Sequence, residues 1–471
     1  MSRQKRPSLF RSMSILASVM LCLPAISQDL IPGAATPTNK WSSPMQTLSM
    51  PLDSANPAYY TLRAKSLTNF YRQRRGQFIW TNPGYPSETG DSLIAIIRNS
   101  GYYGLCPQDY HLYEIEHLTQ ILNISADPYR IEALLTDTFL AIIKDIHFGK
   151  ILNPNALTDS TAMLALQKYS VQRGLMSIIR SAEPENLIYK KLKTALTLTL
   201  DSVYTFEHDI GRKKRIQNLQ VNLERSKTEP AESGRYILVN IPSFTLYVIE
   251  NDSVIFSSKV IVGRTISPTP ELTSAIECII TYPYWYVPRS IAVEEYLPEI
   301  KKNSTFIERQ RFDVLDRNGN ILNHDSIPWN TFSRRNFPVI LRQRDGTDNS
   351  LGVLKFMFDN PYAIYLHDTN AKRLFTSQSR SFSHGCIRID KAIELAQYLI
   401  ATEPTSNYTD INQLLEKKTR HTISLKNPIP IRVRYYTCSN WNSIPEYHRD
   451  IYGRDSAILQ HFLNATLSDN W

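Results

Sequence analysis

The hydropathy pattern changes period once along the chain, near Gly234, and that change limits the fold more than any other feature. Before it, apolar residues recur at three- and four-residue spacing in AKSLTNFYRQR, DSLIAIIRNSG, RIEALLTDTFLAIIKDIHFGK and IYKKLKTALTLTL. That is the pattern of helices burying one face. Gly76, Gly101 and Gly149 punctuate the helix ends. After it, YILVNIPSFTLYVIENDSVIFSSKVIVG alternates apolar and polar residues in two runs, separated by the turn signal Asn251-Asp252-Ser253. The short runs AIECIITY, VLKFMFD, AIYLHD and IPIRVRYY extend the strand pattern, and helix returns at KAIELAQYLIA and INQLLEKK. Helices first and strands afterwards predict an α+β fold with a helical N-terminal domain and a β-rich second domain.

The expected borders follow. Residues 58–215 form the helical domain, 216–233 a connecting helix and linker, and 234–436 the β-rich domain. Within the last, residues 287–352 read as a lid-like insertion, partly helical and otherwise rich in Pro, Asn and Arg. Residues 437–471 form a C-terminal extension that the pattern does not place. At 471 residues the chain is long enough for two or three domains with cores of their own.

The first 27 residues read as a signal peptide. A basic stretch leads into SMSILASVMLCLPAIS, whose apolar core is too short to span a membrane, and Ala25-Ile26-Ser27 offers a small-x-small cleavage pattern. Residues 28–57, rich in Pro, Ser, Thr and Asn, read as a flexible linker. No later segment looks like a membrane span, so the mature chain is expected to be exported without a transmembrane anchor. The net charge is +9, and Arg3, Lys5, Arg6 and Arg11 of the leader contribute four of those charges. The remaining balance, without a stripe of cations interleaved with aromatics, speaks against nucleic acid as a partner. Cys106, Cys278, Cys386 and Cys438 are too widely spaced for a zinc site, so no metal and no other cofactor is expected. Their pairing stays open.

The chemistry concentrates in AIYLHDTNAKRLFTSQSRSFSHGCIRID, residues 363–390. Ser383-His384-Gly385-Cys386 sets a cysteine directly after a glycine, where backbone can approach a substrate closely. Successive amides of such a turn can form an oxyanion hole. A cysteine becomes a nucleophile when imidazole or positive charge stabilises its thiolate. His384 adjoins it, His367 lies nineteen positions upstream and Arg388 two beyond.

The pattern H-(many)-S-H-G-C-h-R resembles the signature of the L,D-transpeptidase catalytic domain, often called YkuD-type. NLER, VNIPSFTLYV, VGR, PYWYVPRSIA, RQRDGTDNSLG and LKFMFDNPYAIYLHDT resemble its large YcbB-type branch. The helical half is similar to that branch's scaffold domain through FYRQRRGQFIW and the GYYGL segment. Two departures stand out. The gap from Tyr204 to Arg215 is too short for the small peptidoglycan-binding module common in that branch, and Arg388 stands where many members have Asn.

The resemblance implies a cysteine acyltransferase acting on peptidoglycan stem tetrapeptides, as donor and as acceptor, with cell-wall synthases as candidate partners and the periplasm as its place. Cys386 would attack, His367 would serve as base, and D-Ala would leave. A second stem's amine would then resolve the thioester into a 3–3 cross-link. Gly385, His384 and Ser383 would build the turn and its oxyanion hole. Arg388, Tyr365, Trp285 and Tyr284 would contact substrate, with packed-core roles the alternative for the aromatics. Arg342 and Arg344 would tie down the insertion or bind carboxylates. The same residues would equally run an L,D-carboxypeptidase, in which water resolves the acyl-enzyme, and a non-catalytic wall scaffold is the reading of a different class. Acylation by carbapenems is implied too.

Overall fold

In a computed structural model, the described parts of the chain are residue 71 and residues 77–82, 85–120, 128–152, 174–202, 209–231, 234–402 and 410–467. The expected signal peptide and linker lie outside the described residues. So does AKSLTNFYRQR, apart from Tyr71.

The helical half is built from α1 (Glu88–Arg98), α2 (Leu112–Gln120), α3 (Pro128–Phe148), α4 (Leu175–Ala182) and α5 (Leu187–Asp201). Helix α1 starts where the Ser87 hydroxyl accepts from the Gly90 amide at 3.1 Å, with Glu88 and Asp91 favourably placed in the first turn. Its Leu93, Ile94 and Ile97 face a core shared with Leu135, Phe139 and Ile142 of α3. Helix α3 is buried on nearly every side and carries polar groups inward. Its Glu132 accepts from the Trp80 amide, the Thr81 hydroxyl and the Tyr71 hydroxyl, which offsets the cost of its burial.

Helix α6 (Asp209–Ser226) runs without a break across the expected border at 215/216. Its Leu219 and Leu223 close one core with Leu192 and Leu196 of α5 and with Tyr236, Leu238, Tyr247 and Ile249 of the strands that follow. The two halves are therefore packed together, not merely tethered.

The strands are β1 (Arg235–Asn240), β2 (Thr245–Glu250), β3 (Ser253–Gly263), β4 (Leu272–Thr281), β5 (Trp285–Tyr286), β6 (Phe312–Leu315), β7 (Ile321–Leu322), β8 (Ile340–Gln343), β9 (Leu354–Phe358), β10 (Leu366–His367), β11 (Ser381–Ser383), β12 (Ile387–Ile389), β13 (Thr422–Arg434), β14 (Cys438–Ser439) and β15 (Glu446–Tyr447). The run expected as one strand before Asn251 is two, β1 and β2. The chain turns at Phe244, whose φ is +52°, and a second turn with positive φ at Asn251 and Asp252 leads into β3. The main sheet is nine-stranded, in the order β11-β3-β12-β10-β9-β4-β13-β1-β2. It closes on itself because β3, eleven residues long, pairs with β2 along its first half and with β12 and β11 along its second.

Alternation fixes which side chains the site receives. In β9, Leu354, Phe356 and Phe358 enter the main core, so Lys355 and Met357 point to the other face. Helices α7 (Ala392–Ala401) and α8 (Ile411–Glu416) cover the core through Leu395, Leu399 and Leu414.

The insertion is more ordered than its composition suggests. A four-stranded sheet, β5-β8-β6-β7, packs against the helical stretch 289–302 around a core of Trp285, Ile291, Ile300, Phe312, Trp329 and Leu341. The C-terminal extension forms β14, β15 and α9 (Ser456–Leu467), whose Ile458 and Phe462 pack on Val221 of α6. Among the described residues no helix is long and apolar enough to cross a membrane.

Candidate active site

Parallel pairing of β10 with β12 sets Leu366 beside Ile387 and His367 beside Arg388. Leu366 and Ile387 face the core, which leaves His367 and Arg388 on the opposite face. On the other flank β9 pairs Lys355 with His367. Lys355, His367 and Arg388 thus form a row across three strands. One step earlier stand Tyr365 and Cys386, linked by the Ile387 amide donating to the Tyr365 carbonyl at 3.1 Å.

His367 is buried, 5% exposed. Its Nδ1 lies 2.5 Å from the Asp368 carbonyl oxygen. A carbonyl only accepts, so Nδ1 carries the proton and Nε2 is left with a free lone pair. Burial, reinforced by Arg388, pushes the imidazole down to about 3, so it is neutral across ordinary pH. The Asp368 carboxylate does not orient the ring. It accepts from the Val353 amide at 3.0 Å and pairs with Lys372 at 2.7 Å.

Cys386 is half-buried, and its thiol is pushed up by desolvation. The Tyr365 amide and hydroxyl, Lys355 and Arg388 oppose that shift. The resting pair is therefore neutral thiol and neutral imidazole.

The turn before Cys386 is held from within. The Ser383 hydroxyl donates to the Cys386 carbonyl at 2.5 Å and accepts from the Gly385 amide at 3.1 Å. Gly385 has φ +119°, a conformation that favours glycine. Its amide is engaged inside the turn, whereas the Cys386 amide has no partner among the described residues. Thr269 donates from its hydroxyl to the Gly385 carbonyl at 2.7 Å and accepts there from the Gly263 amide at 2.9 Å. The Tyr452 hydroxyl donates to the Gly263 carbonyl at 2.6 Å, so the C-terminal extension braces this turn from below.

His384 points outward to the insertion, where its Nε2 meets Glu295 Oε1 at 2.5 Å. Glu295 also lies 3.5 Å from Arg264. Trp285 is mostly buried and packs edge-on against Tyr296 in the insertion core. Tyr284 lies farther out, sandwiched by Arg342 at 4.7 Å and Arg420 at 5.8 Å. Arg342 and Arg344 both pair with Asp313 at 2.7 Å, which occupies them in fastening the insertion sheet.

Lys355 was not among the residues expected from sequence, yet its Nζ sits 3.8 Å above the Tyr365 ring. The alternation of LKFMF could have found it, since it places Lys355 opposite the core-facing leucine and phenylalanines. The four described cysteines are all free thiols. Among the described residues no cluster of His, Cys, Asp and Glu could hold a metal ion.

Residues 234–446 match the model of the YkuD family, the L,D-transpeptidase catalytic domain. The chain carries an L,D-transpeptidase catalytic domain. Residues 65–196 match a second family, the Scaffold domain, so both halves of the α+β architecture have counterparts in known families. A protein of Haemophilus influenzae named "Putative L,D-transpeptidase" is 31% identical over 284 residues. That match covers 60% of this chain and 56% of that protein, so the chain spans little more than half the length of this relative. Among solved structures, an L,D-transpeptidase from Mycobacterium smegmatis overlaps 44% of this chain and 60% of its own, at 14% identity and a TM-score of 0.22. L,D-transpeptidase 3 from Mycobacterium tuberculosis overlaps 44% and 63%, at 10% identity and a TM-score of 0.21.

Proposed function

We propose that this L,D-transpeptidase domain acts on peptidoglycan stem tetrapeptides through a Cys386 acyl-enzyme, with His367 as base, and forms 3–3 cross-links. The observation that carries the reading is the Nδ1 bond from His367 to the Asp368 carbonyl, which leaves Nε2 unprotonated and able to accept a proton on the face it shares with Cys386. The S–H bond breaks toward Nε2 as sulfur adds to the carbonyl that precedes the terminal D-Ala. The oxyanion falls to the free Cys386 amide, with the Ser383 bonds keeping the turn in shape. Collapse expels D-Ala, which takes its proton from the His367 imidazolium. The side-chain amine of a second stem then attacks the thioester while His367 again accepts the proton. One amide replaces another, so the exchange needs no energy source.

Three positive groups, Lys355, Arg388 and Arg420, fit a substrate rich in carboxylates. Trp285 and, from the insertion, Tyr296 share a packed cluster with Tyr365, a placement that limits water and favours an amine acceptor. Export to the periplasm follows from the N-terminal signal, and contact with wall synthases from the substrate.

The test is mass spectrometry of products from purified protein and disaccharide-tetrapeptide, beside Cys386→Ala. A dimer lighter than two substrates by one D-Ala, absent with the variant, is the expected result. Tripeptide monomer alone would replace the reading with an L,D-carboxypeptidase. No reaction with either protein would favour the scaffold. In the same instrument a carbapenem should add its mass to the protein and not to Cys386→Ala.

A further inference from the structure

We propose that Lys355 is a positioning residue for Cys386, its ammonium stabilising the thiolate through space. The inference rests on the reading of Cys386 as nucleophile. Three observations of geometry lead to it. Lys355 faces the site because β9 pairs it directly with His367. Its Nζ is 3.8 Å from the centre of the Tyr365 ring, close enough for a strong cation–π contact in a half-buried setting. Tyr365 in turn is seated beside Cys386, because its carbonyl accepts from the Ile387 amide at 3.1 Å.

When the thiol proton moves to His367 Nε2, the electron pair stays on sulfur, and the two centres together gain no net charge. Separation of charge is still costly in a buried site, and a fixed cation beside the sulfur lowers that cost. His367 cannot supply this help beforehand, because its burial keeps it neutral until the transfer. Burial lowers the Lys355 ammonium and raises the Cys386 thiol, and each group opposes the other's shift: the lysine pulls the thiol down, and the thiolate holds the lysine positive.

The other charged or titratable groups around the pair are limited. Arg388 comes from β12, His367 and Tyr365 from β10 and its approach, Cys278 from β4, and Arg420 from the segment before β13. From the insertion, Tyr296 faces Arg388 and Glu295 is engaged by His384. Of these, Arg388 adds to the effect on sulfur and Arg420 acts on Lys355.

The test is the pH profile of Cys386 alkylation by iodoacetamide, followed by peptide mass between about pH 7 and 11. Wild type is compared with Lys355→Met and Lys355→Arg. Removing the charge should slow alkylation about tenfold near neutral pH and move the midpoint up by about one unit, and arginine should restore most of it. Lys355→Gln repeats the measurement should the methionine variant fail to fold. A Lys355→Met or Lys355→Gln profile that superimposes on wild type overturns the proposal, even where dimer formation falls, since that pattern belongs to a packing role. Failure of the nucleophile reading looks different: Cys386→Ala would then still form dimer, whatever the alkylation profiles.

Discussion

Gly352 shows how one missing side chain supports the proposed base, His367. Its φ is +59°, and a Cβ there would lie 2.2 Å from Asp368 Oδ2. The Asp368 carboxylate must stay where it is to receive the Val353 amide, and the Asp368 carbonyl is what holds the His367 ring. Gly352→Ala should therefore lower stability by about 2 kcal/mol, through strain and displaced hydrogen bonds. It should also lower turnover, which thermal melts and product yield would show; an unchanged melt would mean that the loop shifts freely. His367 makes a second prediction, with a sign fixed by linkage. Its folded value, about 3, lies below its ordinary value of 6.5, so the unfolded chain binds more protons between them. Its contribution to stability is complete above pH 6.5 and is lost as pH falls toward 3. His448, held down at about 4 by burial, acts in the same direction. The slope of stability against pH, from denaturant titrations in that window, should flatten in His367→Asn. An identical slope would argue against a buried neutral imidazole.

At the level of elements, an acid of the insertion meets the turn that carries the proposed nucleophile. Glu295 sits in a π-turn, residues 292–296, and reaches His384 and Arg264 at once. Such turns break a helix's regular bonding and often mark functional sites. Glu295→Gln keeps the shape and removes the charge. It should loosen the insertion over the cleft and raise the share of tripeptide over dimer severalfold in the product assay, while wild-type product ratios would show that the contact does not restrict water. The insertion's own integrity should not suffer, because Asp313 with Arg342 and Arg344 and the core around Phe312 and Trp329 lie elsewhere.

For the whole molecule, the joint between halves has its own core and its own ion cluster. Glu229, just beyond α6, pairs with Arg434 and lies 3.5 Å from Arg432, whose side chain is only 2% exposed. The Glu229 carbonyl also accepts from Asn186, at the head of α5. Breaking such a pair removes a counter-charge from buried cations, so Glu229→Gln should cost about 3 kcal/mol. Because the core shared by α5, α6, β1 and β2 spans both halves, calorimetry should show one cooperative transition for wild type. Two resolved transitions in Glu229→Gln would identify the cluster as the coupling; an unshifted single transition would leave that coupling to the apolar core alone.

The chain itself announced its order of helix and strand, because burial of a helix face and of a sheet face demand different spacings of apolar residues. It also kept Ser383, His384, Gly385 and Cys386 together, because a short turn holds its residues close in space, whereas His367 joins their face only through the pairing of β10 with β12. Lys355 was legible only by counting alternation outward from a core strand. The rest depended on contacts between distant segments. The insertion has a sheet of its own because β5 and β8 pair across a long sequence gap. Tyr452 reaches Gly263 from an extension with no telling pattern, across nearly the length of the β-rich domain. Periodicity records which residues must be buried; which segments bury one another, and which amide remains unpaired at the end, is settled only when the whole chain has closed.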